Sequence, residues 1–158
     1  MHHSSSWILV ASLLVTACAA SAGPGKTADS EGENNKVKEC NAVIEVINGG
    51  MQKLNTSQNE TKDASGPEQL RAMAGVMDSV DQDIEAVPVT QPELVRKVAD
   101  YQDMVRTTAK AARDLARAIE AKDVRGANAS TAALGRAVKR ESPLVDDINA
   151  YCQSGTGG

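Results

Sequence analysis

The sequence predicts an all-α fold, an antiparallel up-down-up-down four-helix bundle that follows an N-terminal segment and a flexible linker. Four segments carry apolar residues at alternating spacings of three and four, the heptad pattern of helices that pack at about 20°. No segment alternates apolar and polar residues at period two, as a half-buried strand would. The 158 residues include one Trp, two Tyr and no Phe. An aliphatic core of this kind favours helix packing over a β-sandwich.

The first segment, residues 1–17, has the features of a signal peptide. The run from Trp7 to Ala17 is apolar, too short to span a membrane as a mature helix and of the right length for a signal core. The residues before it include neither Lys nor Arg. The run ends in Val15-Thr16-Ala17-Cys18, which resembles the lipobox of bacterial lipoproteins.

That resemblance implies that diacylglycerol acylates the thiol of Cys18, that the chain is cut before Cys18, and that the lipid holds the protein on a membrane. The alternative is an ordinary signal peptide followed by an unmodified cysteine. Ala19, rather than Asp, follows the cysteine. By resemblance to Gram-negative sorting, this implies the bacterial cell envelope, at the outer membrane facing the periplasm.

Small residues, glycine and weak charge dominate the stretch after Cys18. Such a composition has nothing to bury, so we assign residues 18–33 to the lipidated cysteine and a flexible linker. Residues 34–153 form the predicted bundle, and residues 154–158 form a disordered tail.

Each predicted helix has its own apolar seam. The first two seams comprise Val37, Cys40, Ile44, Ile47, Met51 and Leu54, then Leu70, Met73, Met77, Val80, Ile84 and Val87. The third comprises Leu94, Val98, Tyr101, Val105, Thr108, Ala112, Leu115 and Ile119. The fourth comprises Val124, Ala127, Thr131, Leu134, Val138, Val145, Ile148 and Cys152.

Local signals mark the helix boundaries. Ser65 to Glu68 and Thr90 to Glu93 each read as a capping box with Pro in the first turn, and Asp123 is placed to cap the fourth helix. Residues 55–66 are polar and predict the one long loop. Pro143 interrupts the fourth seam, which keeps its phase, so the pattern predicts a kink rather than a break.

The third predicted helix is about nine residues longer than the second. At about 1.5 Å per residue, the turn that follows it would stand roughly 13 Å beyond the second helix.

Three cysteines are present. An exported domain meets an oxidising compartment, and acylation of Cys18 leaves only Cys40 and Cys152 to pair. In the predicted topology they lie at the same end of the bundle, on inward-facing seams. The sequence therefore predicts a Cys40–Cys152 disulfide, with two buried free thiols or an intermolecular bridge as alternatives.

The only histidines are His2 and His3, which the predicted cleavage removes. Without histidine the mature chain lacks the ligands of His-bound haem and of ordinary zinc sites, and also the usual general base. The sequence thus predicts no enzyme, no cofactor and no metal. Four methionines could hold Cu(I) through their thioethers, although core filling is the favoured interpretation: Met51, Met73, Met77 and Met104.

Charge provides one candidate binding surface. The net charge of −4 does not point to nucleic acid as a partner. A stripe on the third helix continues toward the following turn and could contact an anionic polymer, a lipid headgroup or an acidic protein; a solvated face is the alternative. It comprises Arg106, Lys110, Arg113, Arg117, Lys122 and Arg125. Acidic residues on the second helix are interpreted as solvated carboxylates: Asp78, Asp81, Asp83 and Glu85.

Together these patterns predict an envelope-anchored, non-enzymatic helical module that binds a protein or an envelope polymer. The alternative is a carrier of a small molecule or metal in the bundle interior. A methionine-lined or polar cavity would favour the carrier, whereas a filled core would exclude it.

Overall fold

The computed structural model describes residues 27–154, with side chains from residue 32 onward. The predicted signal peptide, Cys18, the linker up to residue 26 and the tail from residue 155 lie outside the described residues. Within residues 27–154 the fold consists of helices and includes no strand, which confirms the predicted all-α class. The five helices are α1 Thr27–Glu60, α2 Gly66–Glu85, α3 Pro92–Glu120, α4 Val124–Val138 and α5 Glu141–Gln153.

Helix α3 organises the packing because it contacts α2, α4 and α5, while α1 packs against α2 and α5. The main core is aliphatic, with Tyr101 at its centre, and its largest fully buried side chains are Val43, Val80, Ile84, Leu94, Val105 and Ile148. A smaller cluster of Ala74, Ala109 and Ala112 fills the space between α2 and α3. The predicted seams of the first three helices account for most of these positions.

Helix α1 is longer at both ends than the seam predicts. It begins at Thr27 and ends at Glu60, so residues 27–33 of the predicted linker and residues 55–60 of the predicted loop are helical. These stretches carry almost no apolar residues. An apolar seam reveals only the part of a helix that is buried, so it gives no sign of these polar ends. The remaining loop, residues 61–65, is short.

The fourth predicted helix is two helices, so the expected kink is wrong. Helix α4 ends at Val138 and α5 begins at Glu141. Pro143 lacks the N–H that would bond to the carbonyl of Lys139, and its ring would clash with that carbonyl in a continuous helix. The chain turns at residues 139–140 instead, with Pro143 in the first turn of α5, where the missing donor costs little.

Helix α4 also turns a different face inward than its apolar seam predicts. Val124 is 74% exposed and Val138 46% exposed, while Ala137 is buried. Ser130 and Ala133 line a groove shared with Ala111 of α3. Small side chains let the two helices approach closely, so the inward face follows residue size rather than hydrophobicity.

Two of the three predicted caps are present. Glu68 accepts hydrogen bonds from the backbone N–H and the hydroxyl of Ser65, both at 2.8 Å. Asp123 accepts one from the N–H of Gly126 at 2.9 Å. The third prediction is wrong, since Gln91 is the N-cap of α3 and no local side chain caps it. Among residues 27–154, no helix combines the length and apolar character needed to cross a membrane.

Candidate functional site

The basic stripe of α3 is largely neutralised by acidic side chains. Three of the pairs reach from Arg106 to Asp81 at 3.5 Å, from Lys110 to Asp114 at 2.7 Å and from Arg113 to Asp78 at 2.6 Å. Arg117 also pairs with Asp114. The hydrogen bond from Lys110 lowers the pKa of Asp114 more than its desolvation raises it. Four of the six predicted partner-binding residues therefore belong to local ion pairs.

Three of the four α2 carboxylates that the sequence predicts to be solvated form ion pairs, and the fourth, Glu85, is exposed. Asp78 and Asp81 bind arginines of α3, and Asp83 binds Lys53 of α1 at 2.5 Å. Lys53 also donates to the hydroxyl of Ser79 at 2.9 Å. These charges act between helices and do not converge on a common point.

The remaining two basic residues lie at the turn between α3 and α4. Lys122 and Arg125 are exposed and form no ion pair within the described part of the chain. Beside them Val124 is 74% and Ile119 43% exposed. We call Ile119, Lys122, Val124 and Arg125 the α3–α4 tip, a small surface that combines cations with exposed aliphatic groups.

The backbone of the tip is a Schellman turn. The N–H of Lys122 donates to the carbonyl of Ile119 at 3.0 Å, and that of Asp123 donates to Ala118 at 2.8 Å. Lys122 has φ 55°, a left-handed conformation that favours glycine. Lys122 thus occupies a position where glycine would cost the fold less.

The tip does not stand beyond α2, contrary to the expectation from helix lengths. Glu120, the last residue of α3, pairs with Arg71 in the second turn of α2. If α3 ended about 13 Å beyond the start of α2, the side chains of Glu120 and Arg71 could not reach each other, because Arg71 lies a further turn inside α2. The extra residues of α3 therefore lie toward its first turns.

A second candidate site is a cavity of about 80 Å³ beside α1, α2 and α3. All four methionines of the described chain line it, Met51 from α1, Met73 and Met77 from α2, and Met104 from α3. Met104 is 3% exposed and Met51 is 44% exposed, so the cavity runs from the core to the surface. The remaining lining residues are Gly50, Leu54, Val80, Tyr101, Thr108, Val138 and Glu141.

Few polar groups reach this cavity. The Thr108 hydroxyl donates to the carbonyl of Met104 at 2.8 Å and lies 3.6 Å from its sulfur. Tyr101 is 4% exposed, and its hydroxyl forms no hydrogen bond with any described residue. Burial, and secondarily the negative charge of Glu141, raises the pKa of Tyr101 to about 12. The phenol is therefore neutral at physiological pH.

Within residues 32–154, no group of three or more His, Cys, Asp or Glu side chains is arranged to hold a metal ion. Cys40 and Cys152 are joined as a disulfide in the structure, with Cα atoms 5.7 Å apart, a normal separation for such a bond. Next to it, Lys36 lies 4.4 Å from the centre of the Tyr151 ring and donates to the Ser154 backbone carbonyl. These contacts fasten the end of α5 to α1.

Sequence reasoning missed a carboxylate that accepts three hydrogen bonds. Glu39 of α1 is 8% exposed and accepts from the N–H groups of Thr90 and Gln91, both at 3.0 Å, and from the Thr90 hydroxyl at 2.5 Å. Desolvation raises its pKa, yet these hydrogen bonds outweigh desolvation and lower the pKa overall. Glu39 thus holds the N-cap residue of α3 and the residue before it from across the bundle, and a local sequence pattern gives no signal of such a contact.

Comparisons of this chain with protein-family models, with curated proteins and with solved structures found no match.

Proposed function

We propose that this chain is an envelope-anchored lipoprotein whose helical domain is a non-enzymatic binding module, with the α3–α4 tip as its contact surface. The anchor rests on the lipobox-like Val15-Thr16-Ala17-Cys18. The observation that carries the binding role is the tip itself, where Lys122 and Arg125 stay exposed and unpaired among the described residues beside Val124. Cations next to exposed aliphatic groups suit an anionic polymer or an acidic protein.

We also infer that α1, α2 and α3 alternate in direction and that α4 and α5 return one after the other along α3, together forming the fourth member of an up-down-up-down bundle. The order of the ion pairs supports this inference, because residue numbers fall along one helix as those of their partners rise along its neighbour. Between α2 and α3, Arg106 pairs with Asp81, Arg113 with Asp78 and Glu120 with Arg71. Between α3 and α5, Lys97 pairs with Asp147 and Asp103 with Arg140.

In this arrangement the tip and the anchor lie at opposite ends of the domain. The lipid precedes Thr27, where the 34-residue helix α1 begins. The far end of α1 shares a groove with Leu70 of α2, and nearby Arg71 binds Glu120 beside the tip. A helix of this length spans about 50 Å. The tip would thus face away from the membrane that holds the anchor, toward the interior of the envelope.

The tip can be tested without harming the fold, because Lys122 occupies a position that glycine prefers. Lys122→Gly with Arg125→Ala should keep or raise the melting temperature while weakening binding to purified peptidoglycan sacculi, a candidate anionic polymer, by about tenfold in 0.1 M salt. High salt should also weaken the binding of the unmodified protein to the sacculi. A matched control is Lys38→Ala with Arg96→Ala, which removes two exposed charges elsewhere. Equal binding by all three proteins would eliminate the tip as the contact surface for this polymer.

Lipidation has a separate test. In a bacterial host the full chain should incorporate labelled palmitate, and Cys18→Ala should abolish the label. The same substitution should release the protein from the membrane fraction. A label that persists without Cys18 would reject the anchor while leaving the binding role of the helical domain open.

A second candidate function is a carrier that uses the interior of the bundle. The observation that favours it is the methionine-lined cavity, because several thioether groups around one space can hold a soft ion.

A further inference from the structure

The cavity concentrates one kind of donor atom. The chain has five methionines; Met1 lies outside the described residues, and each of the other four lines this one space. They come from three different helices. Met104 belongs to the main core, and Met73 and Met77 pack against the smaller cluster, yet all four methionines also line the same volume.

The chemistry of the lining selects among ligands. Thioether sulfur is a soft, neutral donor that suits Cu(I) and similar ions. Hard cations such as Mg²⁺ and Ca²⁺ require six or more oxygen ligands, and only three residues of this lining carry side-chain oxygens: Tyr101, Thr108 and Glu141. Glu141 is the one charged residue in the lining. A single negative charge near neutral donors balances a monovalent cation better than a divalent one, whose desolvation costs more.

The dimensions allow the donors to move. The cavity volume of about 80 Å³ exceeds what an ion needs, but methionine is unbranched and has three rotatable bonds, so its sulfur can turn inward. Met51 is partly exposed and offers an entry from solvent. Met73 and Met77 are one turn apart on α2, and Met104 faces them from α3.

We propose that this cavity binds one soft monovalent cation, Cu(I) or Ag(I), through the thioethers of Met73, Met77 and Met104, with Met51 at its mouth. This inference rests on the carrier role and names its ligand class. It concerns binding alone and involves no change in the oxidation state of the ion.

The test uses Ag(I), which needs no reductant, and the full oxidised chain with His2→Ala, His3→Ala and Cys18→Ala, which remove the two imidazoles and the remaining thiol. Titration calorimetry should give one Ag(I) per chain, and the methyl signals of the four methionines should shift in NMR spectra. Met73→Leu with Met77→Leu conserves side-chain volume, so the fold should persist while affinity falls at least 100-fold.

Two controls make the outcome decisive. Val95→Met adds a thioether on an exposed part of α3, outside the cavity lining, and should leave the stoichiometry at one. The proposal is overturned if the folded leucine variant binds Ag(I) as tightly as the parent. The proposal also fails if the parent takes up xenon in the cavity but binds no Ag(I), and in that case the carrier role still stands. If the parent takes up neither xenon nor Ag(I), both the cation site and the carrier role are rejected.

Discussion

At the scale of single residues, Glu39 holds together parts of the chain that are far apart in sequence. Its carboxylate fixes the loop before α3 through three hydrogen bonds. A buried acceptor that satisfies two backbone N–H groups at a helix start serves as a cap and also as a link between helices. Its contribution requires the ionised form, since a carboxylate is the stronger acceptor.

We expect Glu39→Gln to lower the free energy of unfolding by about 2 kcal/mol at pH 7, the scale of a hydrogen bond to a charged group. Because folding lowers the pKa of Glu39, its contribution is full above the ordinary value near 4.5 and is lost as the pH falls through the folded pKa. Urea unfolding of both proteins should therefore show a gap that narrows in acid. Glu45→Gln, an exposed neighbour on α1, should produce almost no gap; a constant gap for Glu39→Gln at all pH values would contradict the assignment.

Adjacent glycines in α1 provide a matched pair for packing. A Cβ on Gly50 would lie 2.7 Å from Cγ2 of Val80, whereas one on Gly49 would meet nothing within 4 Å. Gly49→Ala should stabilise the protein by about 1 kcal/mol through helix propensity. Gly50→Ala should destabilise it by about 1 kcal/mol, since overpacking exceeds that gain. Thermal unfolding followed by circular dichroism measures both, and equal effects would show that Val80 adjusts freely.

Residue patterns in the sequence could predict contacts between residues close in sequence, but not contacts between helices. The caps by Ser65/Glu68 and Asp123 follow from local spacing and are present. Thr90 has the same local pattern, but its hydroxyl donates to Glu39, because a buried carboxylate from another helix competes better than a neighbour in sequence. Arg106 and Arg113 likewise pair with aspartates of α2. The sequence therefore identified the basic stripe but could not show that these aspartates neutralise it.

At the scale of helices, burial sets how much of each element the sequence reveals. Helices α2 and α3 bury long apolar stripes, and their predicted extents agree closely with the structure. The ends of α1 are polar and were assigned to linker and loop. The seam of α4 predicts an inward face at Val124 and Val138, yet close packing against the alanines of α3 requires small residues there instead. The apolar periodicity of a sequence indicates where large side chains are buried, whereas the α3–α4 interface is formed by small side chains.

Helix α4 should be the least protected of the four helices from α1 to α4, because it packs chiefly on α3. Asp123→Ala removes its N-cap and should cost about 1 kcal/mol. Hydrogen exchange should accelerate throughout α4 while α2 and α3 keep their protection. Asp100→Ala, an exposed change on α3, serves as the control. Faster exchange spread evenly over all helices would mean that α4 does not open separately.

At the scale of the whole molecule, two features sit at opposite ends of the proposed bundle. One end holds the start of α1, the Cys40–Cys152 bond and the contacts of Lys36 with Tyr151 and Ser154. The other holds the α3–α4 tip. The methionine cavity lies between them. An anchored domain of this layout would be braced where it meets its tether and would present its exposed cations at the far end.

The disulfide is the main brace of this layout, since α1 and α5 otherwise touch little. It joins residues 112 positions apart. A loop of that length gives a stabilisation of about 4–5 kcal/mol in the chain-entropy model, and often less in practice. The aliphatic core contains one buried aromatic residue, Tyr101, so the bond should supply a large part of the stability of a domain this small.

We therefore expect Cys40→Ser with Cys152→Ser to lower the melting temperature by about 15 °C, with the helical content retained at low temperature. Reducing agent should lower the parent to the same value and leave the double variant unchanged, which separates loss of the bond from side-chain effects. Thiol titration of the unfolded, unreduced chain carrying Cys18→Ala should find no free thiol. Two free thiols, or a disulfide-linked dimer on a non-reducing gel, would show that this end of the molecule is not closed by a bond within one chain.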